Sequence, residues 1–113
     1  MNEHSWIKEF PAAITVCDAE GVIVGMNDAA ARSFATEGGY GLLGANVLVC
    51  HPEAARQKVT DLLRTHRTNV YTIEKNSKKK LIYQSPWFIN GAFAGIVELS
   101  LEIPSEMPHF VRT

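Results

Sequence analysis

The apolar residues of this chain fall into three blocks with different spacing. The first holds two short β-branched runs, Ala13–Asp18 and Val22–Met26, separated by the turn formers Asp18-Ala19-Glu20-Gly21. Such runs read as strands, and turn residues between them make a hairpin. The sequence then becomes helical. Asn27 or Asp28 supplies an N-cap, and Ala29, Ala30, Ala31 and Arg32 are helix formers that carry the segment to about Phe34. Gly38-Gly39-Tyr40-Gly41 interrupts regular structure, and Leu42–Val49 is apolar but too short and glycine-broken for a long helix.

The second block has helical period. Ala55, Val59, Leu62, Leu63 and His66 fall at i, i+4, i+7, i+8 and i+11, one stripe of an amphipathic helix, with Arg56, Lys58, Asp61 and Arg64 on its other faces. Pro52 suits the first helical position and Glu53 the positive end of the helix dipole, so a helix from Pro52 to about His66 is expected. A shorter one, Trp6–Phe10, is capped by Ser5 and stopped by Pro11, with Trp6, Ile7 and Phe10 on roughly one side.

The third block returns to strands: Asn69–Glu74, Lys80–Ile89 and Ala92–Ile103. Asn76-Ser77-Lys78-Lys79 forms a polar turn between the first two, and Asn90-Gly91 is a strong two-residue hairpin signal. Pro86 predicts a bulge or an unpaired N–H in its strand. Counting outward from Asn90-Gly91 sets Ile89 against Ala92, Trp87 against Ala94, Ser85 against Ile96, Tyr83 against Glu98 and Leu81 against Ser100. Directly paired residues share a face. Strands enclosing a block of helices give an α+β fold, with helices on one face of an antiparallel sheet.

Composition narrows the function. The 113 residues make one domain, and a net charge of −1 gives no general attraction to nucleic acid or anionic lipid. No apolar run approaches the roughly 20 residues needed to span a bilayer, and the polar N-terminus is not a secretory signal, so a cytoplasmic protein is expected. Two cysteines, Cys17 and Cys50, are read as small buried thiols rather than a redox pair. Lys75, Lys78, Lys79 and Lys80 cluster at a hairpin, read first as a solvated turn and second as a contact for phosphate or an acidic partner. The chain shows no Ser-His-Asp order, no phosphate-cradling glycine loop, no paired acids and no metal-ligand spacing, so neither catalysis nor a metal site is expected.

The Asp18–Gly21 hairpin, Asn27-x-Ala29-Ala30, Leu43-Gly44 and the closing Gly91-x-Phe93-x-Gly95 resemble the PAS family over about residues 10 to 103. Cys50-His51-Pro52 before the long helix resembles a bacterial PAS subgroup. The resemblance implies a five-stranded antiparallel sheet in the order 2-1-5-4-3 cupping a small-molecule cavity. It further implies a sensory or dimerisation module in signal transduction. Residues 1–11 would form an N-terminal capping helix, 12–103 the core and 104–113 a C-terminal extension. No Asn-Cys-Arg-Phe-Leu-Gln flavin segment is present, so a flavin adduct is not expected, and haem ligation from His66 has no second supporting residue. No output-domain pattern occurs either, so the chain would act through an unidentified output protein or represent an excised module.

Ten residues are candidates for a ligand site: Thr15, Cys17, Met26, Phe34, His51, Leu62, Tyr83, Ser85, Ile96 and Glu98. Glu98 is where two rules disagree. Alternation in Val97–Glu102 puts the valine and leucines inside and the acids in water. The resemblance puts Ile96, Glu98 and Ser100 toward the ligand, with Tyr83 and Ser85 joining them through the hairpin register. A buried Glu98 would need a hydrogen bond from Tyr83 or His51 to offset desolvation. His51 itself is either a loop histidine at the helix start or a polar ligand contact. Both faces of Ala13–Asp18 are tolerably apolar, which implies a cover over the outer sheet face. Trp6, Ile7 and Phe10 would supply it from the same chain or from a second copy in a homodimer. A PAS-like domain acting only through protein contacts, and a small α+β enzyme using Glu98, are the alternatives.

Overall fold

The computed structural model describes residues 4–113, apart from the Cys50 side chain; the readings made on that thiol, including its pairing with Cys17, lie outside the described residues. The elements are α1 (Ser5–Lys8), β1 (Ala13–Asp18), β2 (Ile23–Met26), α2 (Asp28–Ser33), α3 (Glu53–Thr65), β3 (Asn69–Lys75), β4 (Lys78–Ile89) and β5 (Ala92–Ile103). Short 3-10 turns at Ala35–Glu37, Gly39–Leu42 and Val47–Cys50 connect α2 to α3. The strands form one antiparallel sheet in the order β2-β1-β5-β4-β3, as the resemblance implied.

Local chemistry explains most boundaries. The β1–β2 turn is closed by Asp18, whose carboxylate accepts from the N–H groups of Glu20 and Val22 at 2.9 and 3.0 Å. Val22 leaves β2 for a single bridge to Asn46. Asn27 is the cap of α2, accepting from the Ala30 N–H at 3.1 Å. Pro52 stands one place before α3 as its cap residue, not in its first turn, and His66 ends that helix in the left-handed conformation. Asn76 and Ser77 alone make the β3–β4 turn, both at positive φ, so β4 begins at Lys78 and not at Lys80.

The last hairpin departs from the expected register. Ile89 opposes Ala92 and Phe88 opposes Phe93, but Trp87 then opposes Gly95, which leaves Ala94 as an extra residue. The cause lies at Gly95, at φ +146, where a Cβ would stand 1.9 Å from the carbonyl oxygen of Cys17. Only glycine lets β5 approach β1 there and absorb a bulge. The Trp87 indole N–H donates to that same carbonyl at 3.0 Å. Beyond the bulge every pairing is displaced by one: Ser85 faces Val97, Gln84 faces Glu98, Tyr83 faces Leu99 and Ile82 faces Ser100. Tyr83 and Ser85 therefore lie on the outer face, a correction to their expected place.

The helix-facing side carries the core. Cys17, Ile23, Leu42, Val47, Val59, Leu62 and Ile96 form one buried cluster, with Met26, Phe34, Leu63 and Phe93 packed at its margin. Burial pushes the Cys17 thiol pKa up. The end of α3 is held by the His66 ring, which stacks on Phe93 with centroids 3.5 Å apart.

The N-terminal segment does not bury its aromatic residues. It helical part ends at Lys8, short of Phe10. Lys8 pairs with Asp28 at 3.1 Å, and Tyr40 donates to the same carboxylate. Trp6 and Phe10 meet edge to face yet stay 61% and 45% exposed, so neither ring is covered within its own chain.

Candidate functional site

Three strands supply the floor of the site. Glu98 on β5 is the cross-strand partner of both Thr15 on β1 and Gln84 on β4, so all three point to the helix side. Glu98 thus faces inward, against the alternation of Val97–Glu102 and as the resemblance implied. The flanking Val97 and Leu99 take the outer face.

A carboxylate in that position requires partners. Gln84 Nε2 donates to Glu98 Oε1 at 2.8 Å, and Asn69 Nδ2 on β3 donates to Gln84 Oε1 at 2.9 Å. His51 Nε2 lies 3.5 Å from the same Glu98 oxygen, and the two side chains are 9% and 16% exposed. The other ring nitrogen, Nδ1, is 3.0 Å from the Val47 carbonyl, which can only accept, so Nδ1 carries the hydrogen. Nε2 and Glu98 can then attract each other only when the pair holds one more proton. The result is an oriented chain, Asn69 to Gln84 to Glu98 to His51, from the β3 edge of the sheet to the start of α3. Sequence reasoning missed Gln84 because the register count placed Tyr83 opposite Glu98; the signal was Gly95, since glycine inside a strand marks a bulge.

Above this chain lies a cavity of about 420 Å³ between α2, the first turn of α3 and the sheet. Its walls include Phe34, Ala55, Ile73 and Ile82, with Thr15, Tyr71, Ser100, His51 and Glu98 as polar groups, and with Glu37, Lys75 and Lys80 also lining it. A narrow recess of about 20 Å³ continues beneath it, reaching Cys17, Leu62 and Ile96 beside Gln84. Burial, followed by the charge of Glu98, pushes the Tyr71 phenol pKa up.

Of the ten candidates, the structure brings seven together. Thr15, Phe34, His51 and Glu98 line the larger cavity, and Cys17, Leu62 and Ile96 line the recess. Met26 packs at the core margin instead, between the clusters around Ile23 and Ala30. Tyr83 and Ser85 are on the far face of the sheet. Tyr71, Ile73, Lys75 and Lys80 were missed as wall residues because β3 alternates no buried with exposed positions that would mark its inner side.

No family model matches the sequence, and no curated relative does. Solved structures do resemble it. The PAS domain of Bordetella pertussis BvgS superposes with a TM-score of 0.67 at 20% identity, over 88% of this chain and 82% of that one. A sensory box sensor histidine kinase from Vibrio cholerae gives 0.64 at 17% identity, covering 85% of each chain. The Aer2 receptor of Vibrio cholerae, described as a dual PAS-heme oxygen sensor, gives 0.58 at 18% identity over 82% of this chain and 95% of that one. At these identities the likeness is one of fold.

Proposed function

We propose that this chain, which has the PAS fold, is a sensory module that holds a small organic molecule between α3 and the sheet and signals its presence to a partner protein. One observation carries the reading: a largely apolar chamber of about 420 Å³ that ends on a hydrogen-bonded carboxylate. Small-molecule sites have this form, roughly 300–1,000 Å³ of apolar wall with a few convergent polar groups. The Asn69–Gln84–Glu98 chain supplies a route outward. A ligand that bonds to Glu98 draws on the charge of the carboxylate that holds Gln84, and through Gln84 it bears on Asn69 at the exposed β3 edge. The hydrogen bond from Gln84 holds Glu98 in place as a fixed acceptor, the role this reading assigns to it.

Native mass spectrometry of the full chain tests this. Non-covalent adducts, lost in Ala55→Trp, which fills the chamber from α3, are the expected result. An apo mass for the wild type, together with failure of every small apolar probe to bind, would sink the reading.

A homodimer built on residues 1–11 is a second reading, favoured by the exposed Trp6 and Phe10 rings. Sedimentation of the chain with and without those residues decides it: a mass that does not fall on deletion counts against that helix as the interface.

A further inference from the structure

We infer that the molecule held in this chamber is an organic acid with an apolar body, its acid group at Lys75 and Lys80 and a hydrogen-bond donor at its far end on Glu98. This rests on the ligand-binding reading above and adds the ligand's chemistry to it.

The mouth of the chamber is where β3 ends and β4 begins. Lys80 is the cross-strand partner of Ile73 on β3 and of Glu102 on β5, which places it on the same face as Ile82 and Ser100. Lys75 lies two places beyond Ile73 on β3 and also faces inward; both lysines line the cavity. The third lysine of the cluster, Lys78, already pairs with Glu102 at 3.3 Å. Among the described ion pairs neither Lys75 nor Lys80 takes part. Two ammonium groups beside an apolar chamber attract an anion more strongly than they would in open water, because low-dielectric walls focus their field. Two acids line the same cavity: Glu98 at its inner end, and Glu37, which accepts from the Thr36 hydroxyl at 2.8 Å. The basic cluster read from the sequence first as a solvated turn is thereby split: Lys78 pairs with Glu102, and Lys75 and Lys80 line the cavity.

The inner end asks for the opposite chemistry. Gln84 and His51 both approach Oε1 of Glu98. The described contacts of Gln84 and His51 use that oxygen, so the second one is where a hydroxyl, amide or ammonium donor of the ligand would bond. The strand register fixes the span. Glu98 and Glu102, the partner of Lys80, are four places apart on β5, or about 13 Å at roughly 3.4 Å per residue. The lysine side chain, reaching back into the chamber, shortens that distance. The cavity volume of about 420 Å³ corresponds to roughly 14 non-hydrogen atoms at the density of water, about 30 Å³ each. A chain of about eight carbons with its acid and its donor at opposite ends meets both limits.

Three probes read the two ends separately on the full chain by calorimetry: ω-hydroxyoctanoate, octanoate and octanol. The expected order of affinity is ω-hydroxyoctanoate, then octanoate, then octanol. Lys75→Ala with Lys80→Ala should weaken both acids roughly tenfold and leave octanol within about twofold, which also shows that the variant is folded. Glu98→Ala should remove the advantage of ω-hydroxyoctanoate over octanoate, and added salt should weaken the acids alone. Octanol binding as tightly as the acids, or acids indifferent to the lysine pair, overturns the inference while leaving the chamber as a ligand site. Failure of all three probes, with wild type and Ala55→Trp alike, overturns both.

Discussion

Two polar side chains lie on either side of β1, and they are treated differently. Asn27, 1% exposed, has every polar atom engaged. Its Oδ1 accepts from the N–H groups of Ile14 and Ala30, and its two amide hydrogens are shared among the carbonyls of Ile7, Phe10 and Ala12 at 3.0, 3.3 and 2.8 Å. One residue thus fastens the N-terminal segment, β1 and α2. Glu98, by contrast, stands at the foot of an open chamber whose far wall, β3, is exposed along almost its whole length. Buried hydrogen bonds are concentrated at the β1–α2 corner, and the β3 side is left open to water. Segments that respond to ligands come from the low-stability parts of a fold, where few apolar contacts must be broken to move.

The comparison predicts where substitutions hurt most. Asn27→Ala should be the most damaging, because it removes a cap and strands several buried backbone groups without partners. A loss of roughly 3–5 kcal/mol is expected, read as a fall in the denaturant midpoint. A loss below about 1 kcal/mol would mean that the corner is not the anchor of the fold. Asn27→Asp sharpens the point. It keeps the acceptor for Ile14 and Ala30 but turns a carboxylate oxygen toward three carbonyls, so it too should destabilise.

Gly95→Ala comes next. The new methyl would overlap the Cys17 carbonyl, and φ +146 is closed to alanine, so β5 must draw back from β1. A cost of about 3 kcal/mol is expected, with loss of the Trp87–Cys17 bond visible as a shift of the indole N–H resonance. An unshifted resonance in a stable variant would show that the bulge does not depend on glycine.

This residue also shows how far the sequence could be read. Local signals located β1 and β5, the Asn27 cap and the end of α3 at His66, because each depends on neighbours in the chain. The face of Glu98 did not follow from alternation, since the outer side of β5, with Val97, Leu99 and Leu101, is more apolar than the inner, with Glu98, Ser100 and Glu102. The partner of Glu98 failed for a different reason. A turn fixes register only until the first bulge, and one extra residue at Ala94 exchanged Tyr83 and Ser85 for Gln84. The lysines at the chamber mouth were visible as a cluster, but which of them face inward depends on strand pairing that no local pattern records.

On the open side the effects should be small in stability and large in binding. Ile73→Ala removes a wall residue that water already reaches, so a cost under about 1 kcal/mol is expected. The affinity for octanol should nonetheless fall severalfold, since the lost methylenes are ligand contacts worth about 0.8 kcal/mol each when buried. An equal fall in stability and in binding would erase the distinction between the two regions.

The smallest effect concerns the salt link that holds α1 beside the Asn27 corner. The Tyr40 hydroxyl and then the Lys8 ammonium hold the Asp28 carboxyl below its ordinary pKa, while Asp28 in turn raises those of Lys8 and Tyr40. A depressed carboxyl contributes stability above its unfolded pKa and loses it as pH falls through the folded value. For Lys8 the sign reverses: its raised pKa contributes below the ordinary lysine value and is lost as pH rises through the folded one. The same sign holds for Tyr40, so the clamp is complete between the ordinary carboxylate and tyrosine ranges and opens on either side. All three groups meet water, so the change should register in amide exchange at Ile7 and Lys8 rather than in the global midpoint. Asp28→Asn should give the acid-state exchange rates at neutral pH while Asn27 keeps the core intact. If that variant unfolds globally, the corner draws its strength from charge and not from the buried amide.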